Sequence, residues 1–146
     1  MIRAVVWNEF VHERENPAVR SIYPEGIHAT IAAALDADEG IDASTATLDQ
    51  PEHGLPADRL KDTDVLLWWG HRAHKAVDDS VVDRVIQRVH EGMGLIVLHS
   101  GHFSKPFIRL MGTPCSLRWR EAGARERVWV VTRSHPITQR IGDRLE

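Results

Sequence analysis

The chain has 146 residues, of which 42% are hydrophobic and 27% charged, and its formal net charge at pH 7 is −3. This composition predicts a single globular domain over residues 1–146 and excludes a disordered chain. Because the balance is weakly acidic and the basic residues are scattered, no nucleic-acid partner is expected. No membrane partner is expected either, since no apolar run approaches the roughly 20 residues that span a bilayer. The single cysteine and an amino terminus without a signal peptide favour the cytoplasm.

Short apolar runs alternate with helical patterns along the chain. Strands are predicted at residues 4–7, 43–48, 65–69, 95–98 and 128–132. Helices are predicted from Pro24 towards Gly40, at 56–61, from Asp78 or Asp79 to Gly92, at 103–111 and at 134–141, whereas the polar stretch 8–23 is predicted to be a loop. This alternation predicts an α/β fold, a flavodoxin-like, doubly wound, mainly parallel five-stranded sheet in the order 2-1-3-4-5, with helices on both faces.

Two histidine pairs with the same spacing follow the third and fourth predicted strands. His71 and His74 follow one strand, and His99 and His102 follow the next. Because the carboxyl ends of parallel strands meet at one edge of a sheet, all four imidazoles are expected there. The first strand adds Asn8 and Glu9 to the same edge, and we call these six residues the rim. We expect His71, His99 and His102 to converge within a few ångströms.

The rim histidines suit two kinds of chemistry. Neutral imidazoles bind divalent ions, and a pKa near 6.5 suits proton transfer at neutral pH. As metal ligands for Zn²⁺, Mn²⁺ or Fe²⁺ we predict His28, His71 and His99, and as catalytic groups His99, His102 and Glu9. A mixed set of His71, His99 and His102 with the carboxylate of Glu9 or Glu13 is the alternative for the metal. Each histidine taken singly can instead be an imidazole hydrogen-bonded to the backbone. No nucleotide cofactor is expected, because the chain has no G-x-G-x-x-G or Walker loop.

Tryptophans lie beside the rim. Side chains alternate along a strand, so Trp68 and Trp69 face opposite sides of the sheet. Both, together with Trp7, are expected in the core under the helices, with stacking on a sugar ring as the alternative. Trp69 is the candidate for stacking, and the other predicted substrate-binding residues are Asn8, His74 and Tyr23.

Residues 94–101 have the strand, tight turn and helix of a nucleophile elbow. The nucleophile position falls on His99, and the G-x-S-x-G pattern fails because Leu98 precedes it. Ser100 is expected to be a turn hydroxyl or a helix cap, and Cys115 lies beyond the following helix. A Ser or Cys hydrolase is therefore not expected, and Cys115 should be dispensable.

Several longer strings carry a family resemblance. They are VWNE at 6–9 with HE at 12–13, IYPEGIH at 22–28, TLDQPEHGL at 47–55, DVLLWWGHRAH at 64–74 and EGMGLIVLHSGHFSKPFIRL at 91–110. Together they resemble the ThuA-like trehalose-utilisation family, a branch of the class I glutamine amidotransferase-like superfamily. The resemblance implies a flavodoxin-like fold with an altered elbow. It also implies a role in the uptake and breakdown of trehalose-like disaccharides through 3-keto derivatives made by a partner dehydrogenase. Because family members are usually longer, the chain is expected to lack the family's carboxyl-terminal third.

Two functions follow as hypotheses. The first is an enzyme that acts on a disaccharide or its keto derivative, with rim histidines as metal ligands or acid/base groups. The second is a non-catalytic carbohydrate-binding or assembly module on a degenerate amidotransferase scaffold, since the fold alone does not separate the two. The expected partners are a small-molecule sugar, the partner dehydrogenase and, as an open alternative, further copies of the chain.

Overall fold

A computed structural model of the chain describes residues 1–119, 122–123, 125, 128–139 and 144–145. The chain divides into two compact units, Met1–Ser116 and Leu117–Glu146. The first unit holds the parallel sheet and every residue of the predicted rim. No helix in the described part of the chain is long and apolar enough to cross a membrane.

The sheet of the first unit consists of four parallel strands in the order β2-β1-β3-β4. The strands are β1 (Ile2–Asn8), β2 (Ile41–Thr47), β3 (Val65–Trp69) and β4 (Gly94–Val97). Asn8 at the end of β1 lies opposite Thr47 of β2 and Trp69 of β3. The carboxyl ends of these strands therefore form one edge, as the sequence predicts, and the order matches the first four strands of the expected sheet.

The helices of this unit connect the strands and follow the local sequence. They are α1 (His12–Glu15), α2 (Pro17–Ile22), α3 (Ile27–Asp36), α4 (Ala57–Lys61), α5 (Asp79–His90) and α6 (Lys105–Met111), with 3₁₀ turns at Pro51–Gly54, His74–Ala76 and Gly101–Phe103. The polar stretch predicted to be a loop thus contains α1 and α2. Asn16 caps α2 by accepting a hydrogen bond from the Ala18 N–H, and Pro17 occupies the first turn. Pro24 lies before α3 and not within it.

The core lies on both faces of the sheet because successive side chains of β1 and β3 point in opposite directions. One cluster joins Val5, Trp7, Leu66 and Trp68 to the apolar side of α5, which consists of Val81, Val82 and Val85. The other joins Ala4, Val6 and Leu67 to Ala32 of α3. Trp7 and Trp68 are 1% and 0% exposed and stack with ring centroids 3.9 Å apart. These two tryptophans are therefore core residues and do not reach a sugar.

The second unit contains a two-stranded antiparallel sheet of β5 (Val128–Trp129) and β6 (Arg144–Leu145). The strand expected at 128–132 is thus shorter than predicted, and it pairs with β6, which follows about 15 residues later. A fifth strand of the parallel sheet is not confirmed. Residues 134–139, expected to begin a helix, form turns, and 140–143 lie outside the described residues.

Candidate functional site

Glu9, the first residue after β1, holds the turn that follows β3. Its side chain is buried, at 2% exposure, although it is a carboxylate. Oε1 accepts a hydrogen bond from the Arg72 N–H at 2.5 Å, and Oε2 accepts one from the Ala73 N–H at 2.8 Å. Two backbone donors thus neutralise much of the cost of burying this charge. Glu9, which the sequence predicts to be catalytic, therefore fixes the backbone of the turn that carries His71 and His74.

Gly70 leaves the space in which Glu9 and His74 approach each other. A Cβ atom at Gly70 would lie 3.1 Å from His74 Nδ1 and 3.5 Å from Glu9 Oε2. The His74 imidazole and the Glu9 carboxylate therefore both lie close to the Cα atom of Gly70. The sequence offers this glycine as a signal, since it separates the apolar run of β3 from the first histidine pair.

His74 is the half-buried imidazole of the rim. Burial lowers its pKa, the negative charge of Glu9 opposes that shift, and the charges of His102 and His71 add to it. Its Nδ1 atom is buried and has no hydrogen-bond partner among the described residues, and the same holds for Nε2 of His102. Both rings pack near Phe103, with centroid distances of 6.4 Å for His74 and 4.1 Å for His102. His74 is therefore a neutral imidazole at pH 7 with a free nitrogen.

His71 lies at the outer part of the rim and stacks on His12 of α1, with ring centroids 4.8 Å apart and an interplanar angle of 24°. Desolvation lowers the pKa of His71, the charges of His12, Arg72 and His99 lower it further, and Glu9 raises it. His12 is not among the site residues that the sequence predicts. An ion pair of 3.6 Å between Arg72 and Glu15 also joins this turn to α1.

These interactions place His99 within electrostatic range of His71, and His102 within range of His74. The three strand ends of β1, β3 and β4 therefore contribute to one electrostatic environment. The closer convergence of His71, His99 and His102 within a few ångströms stays a prediction.

A second polar group surrounds Asn8, which is 0% exposed. Its Nδ2 atom lies 2.7 Å from Glu13 Oε1 and 2.9 Å from His28 Nδ1. Glu13 Oε1 also accepts a hydrogen bond from the Ile27 N–H at 3.1 Å, at the start of α3. Burial lowers the pKa of His28, and the negative charge of Glu13 opposes that shift. Asn8 and His28, predicted from the sequence, thus lie together, joined by Glu13.

The two remaining substrate-binding candidates have different surroundings. Trp69 is half-buried at the end of β3, with its ring centroid 6.0 Å from that of His71. It is therefore the tryptophan that adjoins the rim. Tyr23 is half-buried at the end of α2, and its carbonyl accepts a hydrogen bond from the Gly26 N–H at 3.0 Å.

The turn after β4 differs in detail from the predicted elbow. The left-handed residue of this turn is Ser100, with φ 75° and ψ −21°, and it follows His99. Gly101 is buried, and it has no room for a side chain, because a Cβ atom there would lie 2.7 Å from Val97 Cγ1. Cys115 bonds locally with Thr113, at 3.3 Å between Sγ and Oγ1.

The residues predicted to bind a metal are His28, His71 and His99. Within the described ranges, no three His, Cys, Asp or Glu side chains are grouped so as to hold an ion. His28 contacts Asn8 and Phe10, whereas His71 contacts His12 and Trp69. Nδ1 of His28 is also engaged with an amide nitrogen and so does not offer a free lone pair. The set His28, His71 and His99 does not fit a metal in this arrangement.

Comparison with known families defines the class of protein to which this α/β unit and its histidine rim belong. The family described as ThuA, trehalose utilisation, matches residues 3–146. The chain belongs to the ThuA family. A search of curated proteins found no match.

Proposed function

We propose that the rim binds a trehalose-like disaccharide or its keto derivative and moves a proton at the carbon next to the keto group. Membership of the trehalose-utilisation family supports the choice of sugar. The observation that carries the chemistry is the half-buried His74 imidazole, whose enclosed Nδ1 atom lies on the side of the Glu9 carboxylate and leaves Nε2 as the nitrogen for a substrate. A partly buried neutral imidazole with a free nitrogen is a suitable general base near pH 7.

In the proposed step, His74 Nε2, which unlike Nδ1 is not one of the enclosed atoms, takes the proton from the carbon adjacent to the carbonyl. The electron pair of the broken C–H bond moves to the carbonyl oxygen and leaves an enolate. The positive charge that His74 gains lies beside Glu9, whose carboxylate favours the imidazolium form. Return of the proton to the same carbon completes an exchange. Its delivery to the former carbonyl carbon, with the hydroxyl proton of the neighbouring carbon moved to the enolate oxygen, completes an isomerisation, and neither requires an oxidant. A partner dehydrogenase would supply the keto-sugar.

The other candidates take supporting roles in this proposal. Glu9 orients the turn and stabilises the protonated imidazole. His102, whose charge acts on His74, is the second proton-transfer candidate. Trp69 offers an apolar ring face to the sugar, and the exposed His99 is available to its hydroxyl groups.

Titration calorimetry with trehalose and 3-keto-trehalose tests the proposed ligand. The variant His74→Gln keeps a polar side chain but loses the base, and His90→Gln at the exposed end of α5 is the matched control. We expect the wild type and His90→Gln to bind the sugar with equal affinity. The affinity of His74→Gln should be about ten-fold lower, the equivalent of about 1.4 kcal/mol. An absence of binding to both sugars would refute the proposal. Binding without proton exchange would favour the non-catalytic carbohydrate-binding module.

A further inference from the structure

The amide of Asn8 has a fixed orientation. Its Oδ1 atom accepts a hydrogen bond of 2.8 Å from the Phe10 backbone N–H, which can only donate. The nitrogen therefore occupies the other position and carries two hydrogen atoms. One hydrogen points to Glu13 Oε1, which lies 2.7 Å from the nitrogen, and the other points to His28 Nδ1, which lies 2.9 Å from it. Reversing the amide would place its oxygen against the Glu13 carboxylate and its NH₂ group against a backbone N–H.

The orientation of Asn8 determines the tautomer of His28. Since Asn8 Nδ2 donates, His28 Nδ1 must accept and carries no proton. A neutral imidazole with a bare Nδ1 carries its proton on Nε2. Burial of His28, which is 6% exposed, favours this neutral form. The Nε2 atom of His28 has no hydrogen-bond partner among the described residues. It is also not enclosed, in contrast to buried unpartnered atoms such as His74 Nδ1. It is therefore available to a ligand.

The ring of His28 is also held in place. A Cβ atom at Gly26 would lie 2.3 Å from His28 Cε1 and 2.5 Å from Nδ1, so the imidazole folds over the backbone of a residue that has no side chain. Phe10 contacts the ring edge-on, with centroids 4.8 Å apart at 69°. The groups that act on the ring electrostatically are Glu13, Arg14 and Asp49. The donor direction is thus set before any ligand binds.

We infer that His28 is a neutral Nε2–H donor, locked by Asn8 and Glu13, that binds an oxygen atom of the sugar ligand and is not a metal ligand. The tautomer follows from the hydrogen bonds alone, whereas the sugar oxygen as acceptor rests on the proposed function. A donor of this kind suits a carbonyl or hydroxyl oxygen and selects against a cation.

Nitrogen-15 NMR of histidine-labelled protein tests the tautomer without a sugar. The signals of His28 are assigned from those that disappear in His28→Gln. We expect a protonated Nε2 and an unprotonated Nδ1 at pH 7, unchanged when an equivalent of Zn²⁺ is added. In Asn8→Ala the pattern should shift towards the mixture of tautomers of a free imidazole. A protonated Nδ1 in the wild type, or coordination of Zn²⁺ by His28, would overturn the inference.

Affinity for 3-keto-trehalose tests the role of the donor. Glutamine keeps an N–H donor, so His28→Gln should bind within about three-fold of the wild type, whereas His28→Ala should bind about ten-fold more weakly. Equal affinity of His28→Ala and the wild type, with the NMR pattern as expected, would refute the sugar contact alone. Absence of sugar binding by the wild type would refute the proposed function and leave the tautomer established by NMR.

Discussion

Glu13 should contribute strongly to stability, although it is an acidic residue in a polar segment. It is 2% exposed, and its Oε1 atom accepts hydrogen bonds from Asn8 Nδ2 at 2.7 Å and from the Ile27 N–H at 3.1 Å. The second of these donors lies at the amino terminus of α3, where the helix dipole favours a negative charge. The substitution Glu13→Ala removes all of these interactions together.

The magnitude follows from the groups that lose their partner. Each buried donor left without an acceptor costs about 1–3 kcal/mol, and the lost charge at the helix terminus costs about 0.3–1 kcal/mol. We therefore expect Glu13→Ala to lower the free energy of unfolding by about 4 kcal/mol. Glu13→Gln keeps the accepting oxygen, loses the charge and places an NH₂ group where Oε2 is buried without a partner among the described residues, so a smaller loss of about 2 kcal/mol is expected.

Urea unfolding monitored by circular dichroism measures these differences. Glu15→Ala is the matched control, because Glu15 is exposed and its ion pair with Arg72 spans 3.6 Å; a loss below about 1 kcal/mol is expected there. A loss below 1 kcal/mol for Glu13→Ala, or equal losses for Glu13→Ala and Glu13→Gln, would refute this reasoning.

Four further outcomes are expected. Gly26→Ala should lower the free energy of unfolding by about 2–4 kcal/mol in the same urea assay, because φ is 88° and the new Cβ would contact His28; an unchanged midpoint would contradict this. Gly70→Ala should weaken binding of 3-keto-trehalose at least about five-fold in calorimetry, because its Cβ would press on His74 at 3.1 Å, and unchanged affinity would count against the site. Stability measured by urea unfolding should fall as the pH drops below about 6.5, since the lowered folded-state pKa of His74 makes the unfolded state bind more protons; the same slope in His74→Gln would exclude His74 as the source. Cys115→Ser should keep any proton-exchange activity, measured by NMR, because Cys115 bonds only with Thr113 among the described residues, and loss of exchange would revive a cysteine mechanism.

The parts of the fold that the sequence predicts are those with a strong local pattern. The apolar run at 65–69 forms β3, and the residues Val81, Val82 and Val85 form the buried side of α5. Both patterns report burial directly, because a strand inside a parallel sheet is apolar throughout and an amphipathic helix repeats every 3.6 residues. The edge that carries the rim follows from these elements and the strand order.

The parts that the sequence does not predict depend on contacts between distant residues. The short helix α1 has no apolar period, and the burial of Glu13 within it follows from Asn8 and Ile27, which belong to other elements. Within the predicted strand at 128–132, β5 pairs antiparallel with β6, and the apolar pattern of one strand does not reveal its pairing partner. The tautomer of His28 depends on the orientation of the Asn8 amide, and the spacing of residues along the chain does not reveal that orientation.

The proton chemistry of the rim is tested most directly by deuterium exchange. The protein is incubated with 3-keto-trehalose in deuterium oxide, and proton NMR follows the signal of the hydrogen next to the keto group. We expect the wild type to accelerate loss of this signal over the rate in buffer, His90→Gln to match the wild type, and His74→Gln to be slower by at least about 10²-fold. Exchange at the buffer rate with the sugar bound, or unchanged exchange in His74→Gln, would contradict a catalytic role for the rim.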